Sequence, residues 1–140
     1  MYTDNAKVKI KNKILKKIDE ASKKFSGNIN EHLKFGPVEA YMIIGKYHRL
    51  GVENKKLCLV VSSIGIGNEK CQGKGFFKDY IQILSDIAKD KDYRLVFESV
   101  NNPKLTESLR KHDYNEVEYT NNFYKDFIWL WYLSWCIIKE

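Results

Sequence analysis

The sequence predicts an α/β (α+β) fold in which a mixed central sheet, flanked by helices, is built around a βαβ unit. Three observations carry this. Leu57–Ile66, LCLVVSSIGI, is apolar on both alternating faces and reads as a strand covered on both sides of a sheet. Phe77, Tyr80, Ile81, Leu84, Ile87 and Ala88 recur at helical spacing, which predicts a helix lasting to about Lys89. Tyr93–Val100, YRLVFESV, reads as a second buried strand, and a strand, helix and strand of these lengths imply a right-handed crossover between parallel strands.

The other elements follow in order. Ile10, Ile14, Ile18, Ala21 and Phe25 fall on one stripe, so a helix is expected from about Lys7 to Lys24, with its lysines around the other side. Ser26, Gly27 and Asn28 should end it, and a short polar connection then leads to Phe35, Gly36 and Pro37. Val38–Leu50 is rich in β-branched and aromatic residues and reads as a strand or hairpin arm, with Gly51–Lys56 as its turn. Asn102 followed by Pro103 signals the start of a short helix reaching about His112, because proline is well tolerated in a first helical turn. Asn115–Tyr119 and Asp126–Ile138 read as two strands joined by a polar turn. Trp129, Trp131 and Trp135 share one strand parity, and a wet face so apolar would be covered in a homodimer.

A chain of 140 residues suits a single domain, 1–140, comprising a basic amphipathic helix (1–25), a core (57–119) and an aromatic C-terminal strand (126–138). Of the net charge of +6, residues 1–24 hold nearly all, with eight lysines against Asp4, Asp19 and Glu20. Such a segment is most often a solvated face, and nucleic acid is the less favoured reading of it. Cys58, Cys71 and Cys136 are an odd number without a C-x-x-C pair, which argues against a disulfide framework and a zinc ribbon. His32, His48 and His112 lie far apart, so no metal is expected. The first residues lack the apolar region of a signal peptide, and the longest uncharged apolar run, Phe127–Ile138, is too short to cross a bilayer. A cytoplasmic protein without a membrane partner is expected.

The chemistry is expected in the loop between the central strand and its helix, I-G-I-G-N-E-K-C-Q-G-K-G-F-F, whose glycines deliver backbone amides to a helix N-terminus as phosphate-binding turns do. A Walker A loop needs four residues between its glycines and then Lys-Ser/Thr, whereas Gly67 to Gly73 encloses five and Lys74 precedes Gly75. A dinucleotide fingerprint needs a third glycine where Lys70 or Lys78 stands.

Lys70-Cys71-Gln72-Gly73-Lys74-Gly75 resembles the R/Q-x-x-G-x-G/A loop of the GNAT (N-acetyltransferase) superfamily, with Lys in the first position. The resemblance extends upstream, where Ile64 to Lys70 looks like the family's V-x-V-x-P-E-x-R run with Asn68 at the proline. It extends downstream to Asn102-Pro103-Lys104-Leu105, Leu109, Lys111 and Tyr114, similar to an N-x-x-A helix ending in an aromatic residue. The resemblance covers about Leu57 to Tyr119 and implies a GNAT-like sheet with 57–119 as a core that binds acetyl-CoA (CoA). It implies cofactor contacts from Ile64, Ile66, Lys70, Cys71, Gln72, Gly73, Lys74, Gly75 and Phe76, and from Asn102, which reads equally as a plain helix cap. It also implies that a bulge over Ser63–Ile66, where the central strand splays from its neighbour, offers an amide to the acetyl carbonyl; glycine at 65 suits a bulge.

Acetyl transfer needs a neutral amine. Glu98 is the expected catalytic base because it is a carboxylate inside an otherwise apolar strand, where burial raises its pKa; a structural glutamate is the competing reading. Many members of the family carry a tyrosine in the later helix to protonate the leaving sulfur, and Leu109 stands there instead. Tyr119 and Tyr124 are the substitutes the last strands offer. The expected function is therefore an acetyl-CoA-dependent N-acyltransferase acting on an amine of a small molecule or a protein. The alternative is a GNAT-fold binding protein, weak or inactive in catalysis, acting through a partner surface.

Overall fold

The computed structural model of the chain describes residues 1–52, 56–67 and 69–127. Its first helix, α1 (Asp4–Lys23), starts at Thr3, whose Oγ1 accepts from the Ala6 N–H and so satisfies one of the free first-turn donors. The stripe Ile10, Ile14, Ile18 and Ala21 is buried, and each isoleucine so placed contributes about 1.5–3 kcal/mol. Phe25 departs from the expected stripe: it lies past the helix end and is fully exposed.

Among the described residues six strands form one mixed sheet: β1 (Asn28–Phe35), β2 (Val38–Gly45), β3 (Cys58–Ile66), β4 (Arg94–Phe97), β5 (Asn115–Glu116) and β6 (Phe123–Lys125), in the order β1-β2-β3-β4-β6-β5. The β3–β4 pair is parallel and the other pairings are antiparallel. A parallel pair needs a crossover, and α2 (Phe76–Lys91) supplies it as the periodicity predicts. A third helix, α3 (Pro103–Lys111), follows β4.

The main core lies between the helices and one face of the sheet, where Ile14, Tyr80, Leu84, Ile87, Leu105 and Leu109 meet Val38, Met42, Leu59, Val61, Leu95 and Phe97. The other face carries a smaller cluster of Ile43, Tyr47, Leu50, Cys58, Val60 and Val96.

Three expectations need correction. Asn28–Phe35, read as a polar connection, is the edge strand β1, hairpinned to β2 with Phe35 opposite Val38. The buried strand expected over Tyr93–Val100 is only Arg94–Phe97, because Ser99 turns the chain at φ +56. The polar stretch between the two last expected strands contains β6 itself, which pairs with both β4 and β5. The aromatic strand expected over 126–138, and the dimer contact expected from it, fall almost wholly outside the described residues. Among the described residues, no helix is long and apolar enough to cross a membrane.

Candidate functional site

The carboxyl ends of β3 and β4 open one edge of the sheet. Partner positions run from Cys58 opposite Arg94 to Val61 opposite Phe97, and the last bond between the two strands is donated by the Glu98 N–H to the Val61 carbonyl at 2.9 Å. Beyond it β3 continues to Ile66, paired among the described residues with β2 alone. At the same point β3 bulges: Met42 faces Val61 but Tyr41 faces Ser63, so Ser62 is the extra residue. The expected bulge over Ser63–Ile66 is thus placed one step earlier. Its effect is to shift parity, since Leu59 and Val61 pack on the main core before it and Ile64 and Ile66 after it.

Glu98 sits immediately past β4. Its side chain keeps 17% of its exposure, and burial raises its pKa above the ordinary carboxylate value. Ser62 Oγ donates to Glu98 Oε1 at 2.8 Å, and Arg49 Nη2 stands 3.9 Å from the same oxygen. Arg49 comes from the segment after β2, with its guanidinium 5.5 Å over the ring of Tyr47.

β3 runs into the glycine loop. Glu69–Cys71 forms one 3-10 turn, which carries Lys70 and Cys71. The Gln72 N–H donates to the Glu69 carbonyl, and the Lys74 N–H to the Cys71 carbonyl. Gly73 and Gly75 lie at φ +74 and +84, a region L side chains rarely adopt. Gly75 caps α2 without any side-chain acceptor, so the first-turn amides from Phe76 onward receive no side-chain cap, and a Cβ at Gly73 would meet nothing within 4 Å. Backbone donors without a side-chain cap at a helix N-terminus, with Lys70 and Lys74 on the same loop, suit a pyrophosphate.

The first two residues of the chain brace this loop, through long-range contacts that no local pattern encodes. The Met1 ammonium donates to the Lys74 carbonyl at 2.6 Å, and the Tyr2 N–H donates to Asp79 Oδ2 at 2.9 Å. The Tyr2 ring packs edge-on against Phe76, its hydroxyl donates to the Phe35 carbonyl, and burial pushes its pKa up to about 12.

Asn102 is the N-cap of α3, its Oδ1 accepting from the N–H groups of Lys104 (2.9 Å) and Leu105 (3.3 Å). It follows Glu98 on the same loop, so Glu98, the cap and the glycine loop all come from the carboxyl ends of the parallel strands, where open α/β sheets place their ligands. Ser62 and Arg49 were missed as site residues, although a serine pair inside an apolar strand was a visible signal for the first.

Two grooves among the described residues, of about 710 and 530 Å³, lie elsewhere. The larger runs between α2 and α3, past Ile81, Ser85, Leu109 and Tyr114, from Lys78 to Lys104 and beyond; the smaller lies beside the start of α3. Glu98 lines neither, and the strand geometry at Glu98 is the stronger guide because a shallow edge encloses little volume.

Leu109 is 1% exposed within the main core. Tyr119 stands fully exposed in a turn, far from any role inside a cleft. Tyr124, opposite Val96, lies under the Arg94 guanidinium, which is itself held by Asp126 through bonds of 2.8 and 2.7 Å. Cys58 is buried and Cys71 half-buried. No group of three or more metal-ligating side chains occurs among the described residues. No protein-family model matches the chain, and no curated protein matches its sequence.

Proposed function

We propose that this protein is an acetyl-CoA-dependent N-acyltransferase with a GNAT-like fold, and that its acceptor is an amine. The observation that carries the reading is the coincidence, at one sheet edge, of a bulged strand parting from its parallel neighbour, a half-buried glutamate at the parting and a glycine loop on the following helix. The resemblance of the loop to the GNAT pattern supports it, as does the parting of two central strands that this family uses to admit a thioester.

In this reading Gly73, Lys74, Gly75 and the first amides of α2 hold the pyrophosphate, with Lys70 beside them, and the unpaired edge of β3 beyond Ser62 lies along the pantetheine arm. Acetyl-CoA supplies the acyl group as a thioester. The chain's own contribution is proton handling: Glu98 accepts the proton of the acceptor ammonium, which cannot attack while charged, and Ser62 keeps the carboxylate turned into the site. The nitrogen would bond the acetyl carbon and the carbon–sulfur bond would break, with the second proton of the nitrogen passing through water to the departing thiolate.

A second reading is favoured by Leu109. An apolar side chain stands in the core where the family's acid belongs, which suits a GNAT-fold binding protein that has lost turnover. A thiol of pKa near 8.5 leaves tolerably as thiolate, and a missing acid costs only about 10²–10⁴ in rate, so the first reading keeps precedence. Acetyl-CoA binding followed by release of free thiol on adding amines tests the two: binding with thiol release supports the enzyme, binding alone supports the second reading, and no binding overturns the enzyme.

A further inference from the structure

Ser62 and Glu98 continue the sheet face that carries Val60 and Val96, a face on which no helix packs among the described residues. The segment after β2 folds over it, burying Tyr47 and Leu50 in the same cluster and leaving Arg49 above the Tyr47 ring. One unit of each charge therefore stands at this end of the face on separate supports. Glu98 is fixed from below by Ser62. Arg49 is 67% exposed and only 3.9 Å from Glu98 Oε1, beyond hydrogen-bond range. The Tyr47 hydroxyl, at 4% residue exposure, is the one buried side-chain polar atom among the described residues with no hydrogen-bond partner.

A loose pair of this kind, with one member rigid and half-buried and the other stacked but free to turn outward, is complementary to a ligand carrying both charges close together. An ammonium placed at Glu98 puts a neighbouring carboxylate within reach of Arg49, whose planar guanidinium binds carboxylates through two parallel bonds. We infer that the acceptor of this site is an amine bearing a carboxylate on the adjacent carbon, an α-amino acid, and that Arg49 is the residue that selects it. The inference rests on the acyltransferase reading for the fate of the amine, but the zwitterion site itself does not require turnover. The Tyr47 ring holds the guanidinium in place.

The test pairs each common α-amino acid with its primary amide, which keeps the amine and side chain and removes the negative charge. Two readouts are taken on the parent, Arg49→Ala and Arg49→Lys: thiol release from acetyl-CoA, and calorimetric binding of each probe to the CoA-saturated protein. The amide's amine is less basic and more of it is neutral near pH 7, so intrinsic reactivity favours the amide and works against the inference. In the parent at least one amino acid should exceed its amide about tenfold or more in kcat/KM and in affinity, the worth of one charge-assisted contact. Arg49→Ala should erase that preference through KM, with the KM for acetyl-CoA unchanged, and Arg49→Lys should restore part of it. If nothing turns over but an amino acid binds more tightly than its amide to the parent and not to Arg49→Ala, the zwitterion site stands and the transferase reading falls. Equal or inverted preference in the parent by both readouts, or a preference that survives in a folded Arg49→Ala, overturns the inference.

Discussion

The hydroxyl of Ser62 donates to Glu98 Oε1 at 2.8 Å, tying the bulged residue of one central strand to the first residue past its parallel neighbour. That bond spans the point where β3 and β4 part, so the carboxylate most raised in basicity by burial is fixed where the sheet opens.

Glu98→Gln should lower turnover by about 10² or more while leaving acetyl-CoA affinity intact. The same change should stabilise the fold at neutral pH. The folded-state pKa of Glu98 lies above its unfolded value, so ionisation favours the unfolded chain, and stability falls as pH rises from the unfolded value through the raised one. Thermal melts of parent and variant from pH 4 to 8 check this: the two curves should separate in favour of the variant as pH rises. A strongly destabilised Glu98→Gln would instead mark a structural glutamate.

The Arg94–Asp126 pair gives the opposite sign. The hydrogen bonds from Arg94 hold the Asp126 carboxyl below its usual range. Its stabilisation is present above the unfolded carboxylate pKa and is lost as pH falls through the depressed one. Asp126→Asn should cost about 1–3 kcal/mol at neutral pH, and that difference should shrink in acid; denaturant titrations at the two pH values measure it.

Leu109→Tyr, which would place on α3 the tyrosine acid that the GNAT resemblance expects there, should destabilise the fold without raising the rate. The side chain is enclosed by the main core, and overpacking there costs about 1–3 kcal/mol. Melting temperature and thiol release measured together check this; a stable variant with a faster rate would show that the position opens to the cleft.

Tyr47→Phe removes a buried hydroxyl that has no protein partner, and should raise stability of the unliganded protein by about 1 kcal/mol. A loss of similar size in chemical denaturation would mean that the hydroxyl is satisfied by ordered water.

The periodic elements were legible because their burial is one-sided and regular: Ile10, Ile14 and Ile18 on α1, and Tyr80, Leu84 and Ile87 on α2, keep their expected faces. β1 was not legible. Glu31 lies between the buried Ile29 and Leu33 on their side of the strand, neutralised by Lys17 Nζ at 2.8 Å, so the strand's alternation reads in sequence as a polar stretch. The end of β4 was hidden for another reason, since a left-handed serine at 99 carries no composition signal. In the site, Glu98 announced itself as a charge in an apolar run. Arg49, Met1 and Tyr2 reach the site region only through long-range packing, which no local pattern encodes.

The central claim is that the glycine loop holds a CoA pyrophosphate, and calorimetric titration of acetyl-CoA into the parent, Gly75→Ala and Gly75→Glu tests it most directly. Both variants carry the backbone strain of a side chain at φ +84, so Gly75→Ala measures that cost alone. The account predicts one site in the parent, weaker binding in Gly75→Ala, and no binding in a folded Gly75→Glu, whose carboxylate occupies and repels the phosphate approach. Unchanged acetyl-CoA binding in a folded Gly75→Glu, or no binding by the folded parent at millimolar acetyl-CoA, would contradict it.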